Sequence, residues 1–293
     1  MSESRHGYGE QLSHPLKFFS TFCPFFFLSL LYFLYNAFAF LAEMSFAHIS
    51  IGPLTLNFYG LMYALAAVVA VFFTHFVAQR RNVDISRTDI ADIVFWTMIG
   101  GVLGGRLAYV LVYNFSYYMS HLSKIPAVWD GGMSIHGGLV GGGIALFLII
   151  KKQKRSFSET VDLFMPALAL GLAFGRVGNF VNMELPGRIT DVPWGMDFGD
   201  GENRHVSSLY AAGKDILLSG ILLVLVLFIR PQPGVVTACF FLLYGVFRFV
   251  VEFFREPDPQ IGFLLFGFSM GQWLSVAVFL FGILYLVWLR KKL

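Results

Sequence analysis

Residues Gly175 to Gly187 read GRVGNFVNMELPG, with one arginine, two asparagines and one glutamate at the end of an apolar segment. Polar groups in such a place are costly unless they have partners or a task. A guanidinium offers donors that fit two phosphate oxygens at once, so Arg176 suggests an anion-binding role. Tyr244, Arg248 and Glu252 are spaced i, i+4, i+8 and stack on one face of a helix. They read either as an intramembrane Arg–Glu pair that fixes helix packing or as an arginine held by a carboxylate to meet an anionic ligand. Arg176 comes from a different helix. Two arginines converging near the outer surface would clamp a phosphate, and at that depth an anionic phospholipid headgroup is the obvious ligand.

His136 lies in WDGGMSIHGGLVGGG, Trp129 to Gly143. It reads as a structural hydrogen-bonding residue or as a general base, a task for which an untuned pKa of about 6.5 is useful. The glycines around it let backbones approach a helix or a ligand closely. Gly104-Gly105-Arg106 reads first as a tight helix contact, with Arg106 as an alternative third anion contact. Asp130, Asp197, Asp200 and Glu202 read as solvated loop residues. No HExxH motif, Cys/His cluster or paired-carboxylate spacing is present, so neither a metal nor a cofactor is expected. No glycine loop of the nucleotide-binding kind sits between a strand and a helix.

These residues need elements to hold them, and composition says what those are. Apolar residues make up 57% of the 293 and charged residues only 13%, where a soluble domain carries about 25%. Mean hydropathy is +0.69. The chain therefore reads as an all-α, polytopic helical membrane protein with a small external domain. A net charge of +3 without a basic, aromatic-interleaved soluble stretch excludes nucleic acid as a partner. Cys23 and Cys239 lie in apolar runs and read as packing residues.

Seven apolar segments follow Met44: about 56–76, 89–113, 136–150, 161–180, 214–229, 235–254 and 263–289. Arg80, Arg81 and Arg87 follow the first, Lys151, Lys152, Lys154 and Arg155 the third, Arg230 the fifth, and Arg290, Lys291 and Lys292 the seventh. Placing these alternate loops in the cytoplasm puts the N-terminus of the core outside and the C-terminus inside, with 187–212 as the largest external connection. Ser86–Asp89 and Ser156–Glu159 have capping-box spacing and are expected to start the second and fourth helices. Pro231, Pro233 and Gly234 mark the turn after the fifth. The domain reading is an extension over 1–43 and a transmembrane unit over 44–293. The apolar run Phe19–Leu41 is an extra span, a cleavable signal (Ala37-Phe38-Ala39 is A-x-A-like) or sequence upstream of a start at Met44, the last being favoured.

The chain resembles the prolipoprotein diacylglyceryl transferase family. GRVGNFVNMELPG matches that family's pattern G-R-x-G-N-F-x-N-x-E-x-x-G at all eight fixed positions. IGPLTLNFYGLMY, LGGRLAYVLVYN, VWDGGMSIHGG, YGVFRFVVEFFREPD and SMGQWLS agree in order, so the likeness covers about 51–293. The resemblance implies seven spans with the N-terminus out, a place in the bacterial inner membrane, and transfer of the diacylglyceryl group of phosphatidylglycerol to the lipobox cysteine of a prolipoprotein. A thioether and glycerol-1-phosphate are then the products. It further implies that Arg176 and Arg248 hold the phosphate, that Asn179, Glu184 and Gly187 are signature residues needed for activity, and that Tyr59 is the first-span tyrosine of the site. His136 matches the proposed base. Tyr244 and Glu252 accompany the second arginine, with Glu252 orienting Arg248 or sharing in proton transfer.

One stretch departs from the family. Where many members read R-H-P-S-Q-L-Y-E, this chain reads Arg204-His205-Val206-Ser207-Ser208-Leu209-Tyr210-Ala211. Three other readings are set beside the transferase. A headgroup transferase lacks the expected aspartate-rich metal motif. A lipid or solute transporter lacks the expected internal symmetry. An inactive relative that binds lipoprotein precursors has only the altered 204–211 stretch in its favour.

Overall fold

The computed structural model describes residues 48–51, 54–257, 260 and 262–291. The readings of 1–43, of Cys23 and of Met44 lie outside the described residues. Among those described, seven helices are long and apolar enough to cross a membrane, as the hydropathy pattern predicts. They are α1 (Phe58–Arg81), α2 (Arg87–Ala108), α3 (Ile135–Lys152), α4 (Phe157–Val181), α5 (Ser207–Val224), α6 (Val235–Val251) and α7 (Met270–Lys291). A π-helical turn extends α2 over Tyr109–Tyr113 and another extends α5 over Leu225–Ile229, and a 3₁₀ turn Glu252–Phe254 follows α6. The chain is a multi-pass membrane protein.

Three span starts differ from the hydropathy reading. The first helix begins at Phe58, because Leu54–Asn57 (β2) pairs antiparallel with His48–Ile51 (β1). α5 begins at Ser207, well before Lys214. The hydroxyls of Ser207 and Ser208 donate to the carbonyls of Leu185 and Glu184, so two residues that look like loop are satisfied on a helix. α7 begins only at Met270, although Phe263–Phe268 is apolar. Phe266 (φ 61°) and Gly267 (φ 72°) are left-handed, and Phe263 bridges to Ser269. Ser269 then caps α7, with its Oγ accepting from the Gln272 amide (3.2 Å) while its own amide donates to Gln272 Oε1 (2.9 Å).

Of the two capping boxes read from sequence, Ser86 accepts from the Asp89 amide at 3.0 Å as expected. Ser156 precedes α4 without any side-chain cap bond, which corrects the second. The start of α6 is capped from another helix instead. Asp162 of α4 accepts from the amides of Gly234 (2.7 Å) and Thr237 (2.8 Å) and from the Thr237 hydroxyl (2.6 Å). Gly234 (φ 95°) makes the turn ahead of it.

Glycine sets the helix spacing. A side chain on Gly104 would collide with the Gly137 carbonyl, and one on Gly141 with that of Gly100. α2 and α3 therefore pack antiparallel, backbone against backbone. Arg106, buried at the end of α2, donates to the carbonyls of Lys124 (2.7 Å), Ile125 (2.8 Å), Gly131 and Gly132. With four of its N–H groups tied to loop carbonyls, it anchors the α2–α3 loop, which overturns the alternative of an anion contact. The core of the bundle gathers Val77, Ile90, Ile93, Leu218, Leu222 and Val236. Cys239 packs partly buried against this cluster.

Candidate active site

One end of the bundle collects the ends of α4 and α6 and the starts of α1, α3, α5 and α7. The signature stretch closes α4 there. Asn182 ends the helix, and Met183 (φ 56°) and Leu185 (φ 59°) flank Glu184 in left-handed conformations that non-glycine residues rarely adopt. The Glu184 amide returns to the Asn179 carbonyl (2.9 Å), and Ser207 and Ser208 of α5 hold the Leu185 and Glu184 carbonyls. This network over-determines the strained turn.

Side chains continue the same chain of contacts. Arg176 Nη1 lies 3.5 Å from Asn179 Oδ1, the buried Asn179 amide donates to the Glu184 carboxylate at 2.9 Å, and Asn182 donates to its other oxygen at 3.3 Å. Gly178 leaves room for the Tyr59 ring against α4, since a Cβ there would stand 3.0 Å from a ring carbon. The Tyr63 hydroxyl donates to that of Tyr59 (3.1 Å), and Tyr63 lies within electrostatic reach of Arg176 and Glu184.

The second arginine comes from α6. Arg248 pairs with Glu252 one turn later, and Glu252 also accepts from the Ser269 hydroxyl at 3.1 Å. Glu252 is 5% exposed, so the pair is fixed between α6 and α7. Tyr244 stacks on Phe240 and turns its ring face to the Lys214 ammonium, 4.1 Å from the centroid. Arg176 and Arg248 open on one small, partly open cavity, whose wall includes Arg255, Ser207, Ser208 and Ala211. A cavity with Arg176, Arg248 and Arg255 on its wall is suited to a phosphate.

Gly187 touches the site from outside. A Cβ there would stand 2.6 Å from that of His205, so only glycine permits the Gly187 amide to reach the His205 carbonyl at 3.1 Å. Gly187 also bridges to Arg255, and its carbonyl accepts from Arg204. The connection between α4 and α5 then forms a short hairpin, β3 (Met196–Asp197) with β4 (Asn203–Arg204). Asp197 accepts from the amides of Gly199, Asp200 and Gly201. The Arg204 hydrogen bond at 2.7 Å holds the Asp200 carboxyl below the usual carboxylate range. The three departures after Arg204 have structural places. Val206 is buried, Ser208 holds the signature turn and Ala211 lines the cavity.

Arg176, Asn179, Glu184, Tyr59, Arg248, Glu252 and Tyr244 therefore gather at one end of the bundle. His136 is not drawn into contact with them. It is exposed in the first turn of α3, and no described residue hydrogen-bonds its ring. Lys214, Asp215, Tyr63 and Arg255 were not singled out from sequence. An adjacent Lys–Asp pair inside an apolar run was the one available signal. Among the described residues no three His, Cys, Asp or Glu side chains are placed to hold a metal.

Comparison with known proteins identifies the family. The family model described as prolipoprotein diacylglyceryl transferase matches residues 47–288. The chain is similar to the phosphatidylglycerol–prolipoprotein diacylglyceryl transferase of Geobacter sulfurreducens, at 46% identity over 260 residues, 85% of this chain and 98% of that one. It is likewise similar to the proteins of that name from Cupriavidus necator (43% identity, covering 83% of this chain and 92% of that one) and Idiomarina loihiensis (42%, covering 83% and 91%). With the signature stretch in place at the cavity and the match running across all seven spans, this chain is a member of the prolipoprotein diacylglyceryl transferase family.

Proposed function

We propose that this protein transfers the diacylglyceryl group of phosphatidylglycerol to the thiol of the lipobox cysteine in a prolipoprotein signal peptide. The thiol sulfur attacks the glyceryl carbon that bears the phosphate. The S–C bond forms, the C–O bond breaks, and glycerol-1-phosphate leaves with the electron pair. Arg176 and Arg248 bind the phosphodiester and stabilise the charge that grows on the departing phosphate. Glu252 and Asn179 hold the two guanidinium groups in place, and Glu184 and Gly187 support them through the turn and the connection that follows it. Tyr59 and Tyr244 line the approach for the lipid. His136 accepts the thiol proton as the peptide reaches α3 from the membrane.

The convergence of Arg176 and Arg248, from different helices, on one cavity carries this reading. The basic residues Arg80, Arg81, Arg87, Lys151, Lys152, Arg230, Arg290 and Lys291 fall at the opposite ends of the helices, which supports a cytoplasmic C-terminus, an external site and insertion in the bacterial inner membrane. Residues 44–293 form the transferase unit and 1–43 an extension to it. The test is to incubate the purified full chain with phosphatidylglycerol and a lipobox peptide and to weigh the peptide. A diacylglyceryl adduct that disappears with Arg176→Ala is expected. A folded wild-type protein that makes no adduct overturns the transfer, and full activity in both Arg176→Ala and Arg248→Ala overturns the clamp.

A further inference from the structure

Lys214 and Asp215 stand side by side on α5, 8% and 1% exposed. Lys214 Nζ donates to Asp215 Oδ1, while Asp215 Oδ2 is buried with no hydrogen-bond partner. Ala211, on the cavity wall, lies three residues before Lys214 on the same helix. Tyr244, whose ring the ammonium faces, lies one turn before Arg248. The lysine is therefore lodged next to the cavity, between the two helices that supply much of its wall. Arg176 and Arg248 both act electrostatically on Lys214 and on Asp215.

Packing does not account for such a pair. A buried ion pair is often no more stabilising than apolar residues of the same volume, and ionisable groups within a span are costly. Its charge gives it a use. Lys214 adds a cation beside Arg176 and Arg248 at the wall of the cavity, the complement of an anionic phosphodiester. A lysine suits this place because its ammonium carries three donors on a flexible four-carbon stem.

We propose that Lys214 is a third cation of the phosphate site. Its ammonium joins Arg176 and Arg248 at the phosphate oxygens when lipid binds and remains there as the phosphomonoester leaves. Asp215 and the Tyr244 ring keep it within reach. This assignment rests on the transfer reading above.

The experiment uses the full chain in nanodiscs of phosphatidylglycerol or phosphatidylcholine. Bound lipid is counted by native mass spectrometry, and transfer to a lipobox peptide is followed in parallel. Lys214→Met is expected to lose the preference for phosphatidylglycerol and to lower kcat by about tenfold or more, as for a lost charged contact. Lys214→Arg restores most of both. Asp215→Asn, which keeps the shape and the ammonium, raises KM more than it lowers kcat and serves if Lys214→Met does not fold. Lys214→Met indistinguishable from wild type, or Lys214→Arg as impaired as Lys214→Met at equal thermal stability, overturns the assignment while leaving the transfer reading intact. A wild type that makes no adduct, with Lys214→Met still losing the lipid preference, overturns transfer and upholds the anion site.

Discussion

Arg248 and Glu252 are paired one helical turn apart at the end of α6, and the second oxygen of Glu252 is held by the Ser269 hydroxyl at 3.1 Å. The carboxylate thus fastens the arginine to α7 while leaving the guanidinium on the cavity wall. Removing one partner of a buried pair costs roughly 3–5 kcal/mol, because the other charge is left uncompensated. Glu252→Ala should therefore lower both the thermal stability and the transfer rate. Ser269→Ala keeps the pair and should have the smaller effect on both, as measured by melting and adduct formation.

His136→Ala tests the proton acceptor. Loss of a general base lowers a rate by about 10²–10⁴-fold. The loss should fall on kcat, with the KM for phosphatidylglycerol unchanged, because His136 has no contact with the arginines. A variant within twofold of wild type would remove His136 from the chemistry.

Gly187→Ala should displace the connection between α4 and α5. The added methyl meets the His205 backbone and Cβ, and overpacking of this kind costs about 1–3 kcal/mol. Faster hydrogen exchange at the Gly187 and His205 amides is expected, together with weaker transfer.

Asp162→Ala probes the opposite end of the bundle. The Gly234 and Thr237 amides and the Thr237 hydroxyl would lose their acceptor, which amounts to destabilisation on the order of 3 kcal/mol. The surviving folded protein should transfer at the wild-type rate, since Asp162 lies far from the cavity. A normal melting temperature would refute the capping role.

The β3–β4 hairpin itself carries a pH signature. Asp200 is held by Arg204, so its folded pKa lies below its unfolded one. The stability it contributes is present above the unfolded pKa of about 3.9 and lost as pH falls through the folded value. Hydrogen exchange in the Met196–Arg204 hairpin should be insensitive to this pair from pH 5 to 8 and accelerate only in stronger acid. Asp200→Asn should abolish that acid dependence.

Sequence alone determined what depends on local periodicity and composition. Seven apolar runs gave the seven membrane-spanning helices of the described residues, and the i, i+4 spacing of Arg248 and Glu252 gave an ion pair on one helix face. The dense polar stretch after Arg176 marked the end of α4 as the candidate site because polar residues at a span end are costly. Tertiary structure decided what depends on contacts between distant helices. Ser207 and Ser208 became helical because the Leu185 and Glu184 carbonyls accept their hydroxyls, and Phe263–Phe268 stayed outside α7 because the chain turns through left-handed residues there. Arg106 was taken up by loop carbonyls, although its residue type suggested an anion contact just as well. Lys214 and Asp215 looked like the polar edge of a span until α6 placed Tyr244 over the ammonium. Hydropathy measures the cost of burying a charge, and only the packed bundle supplies the partners that offset it.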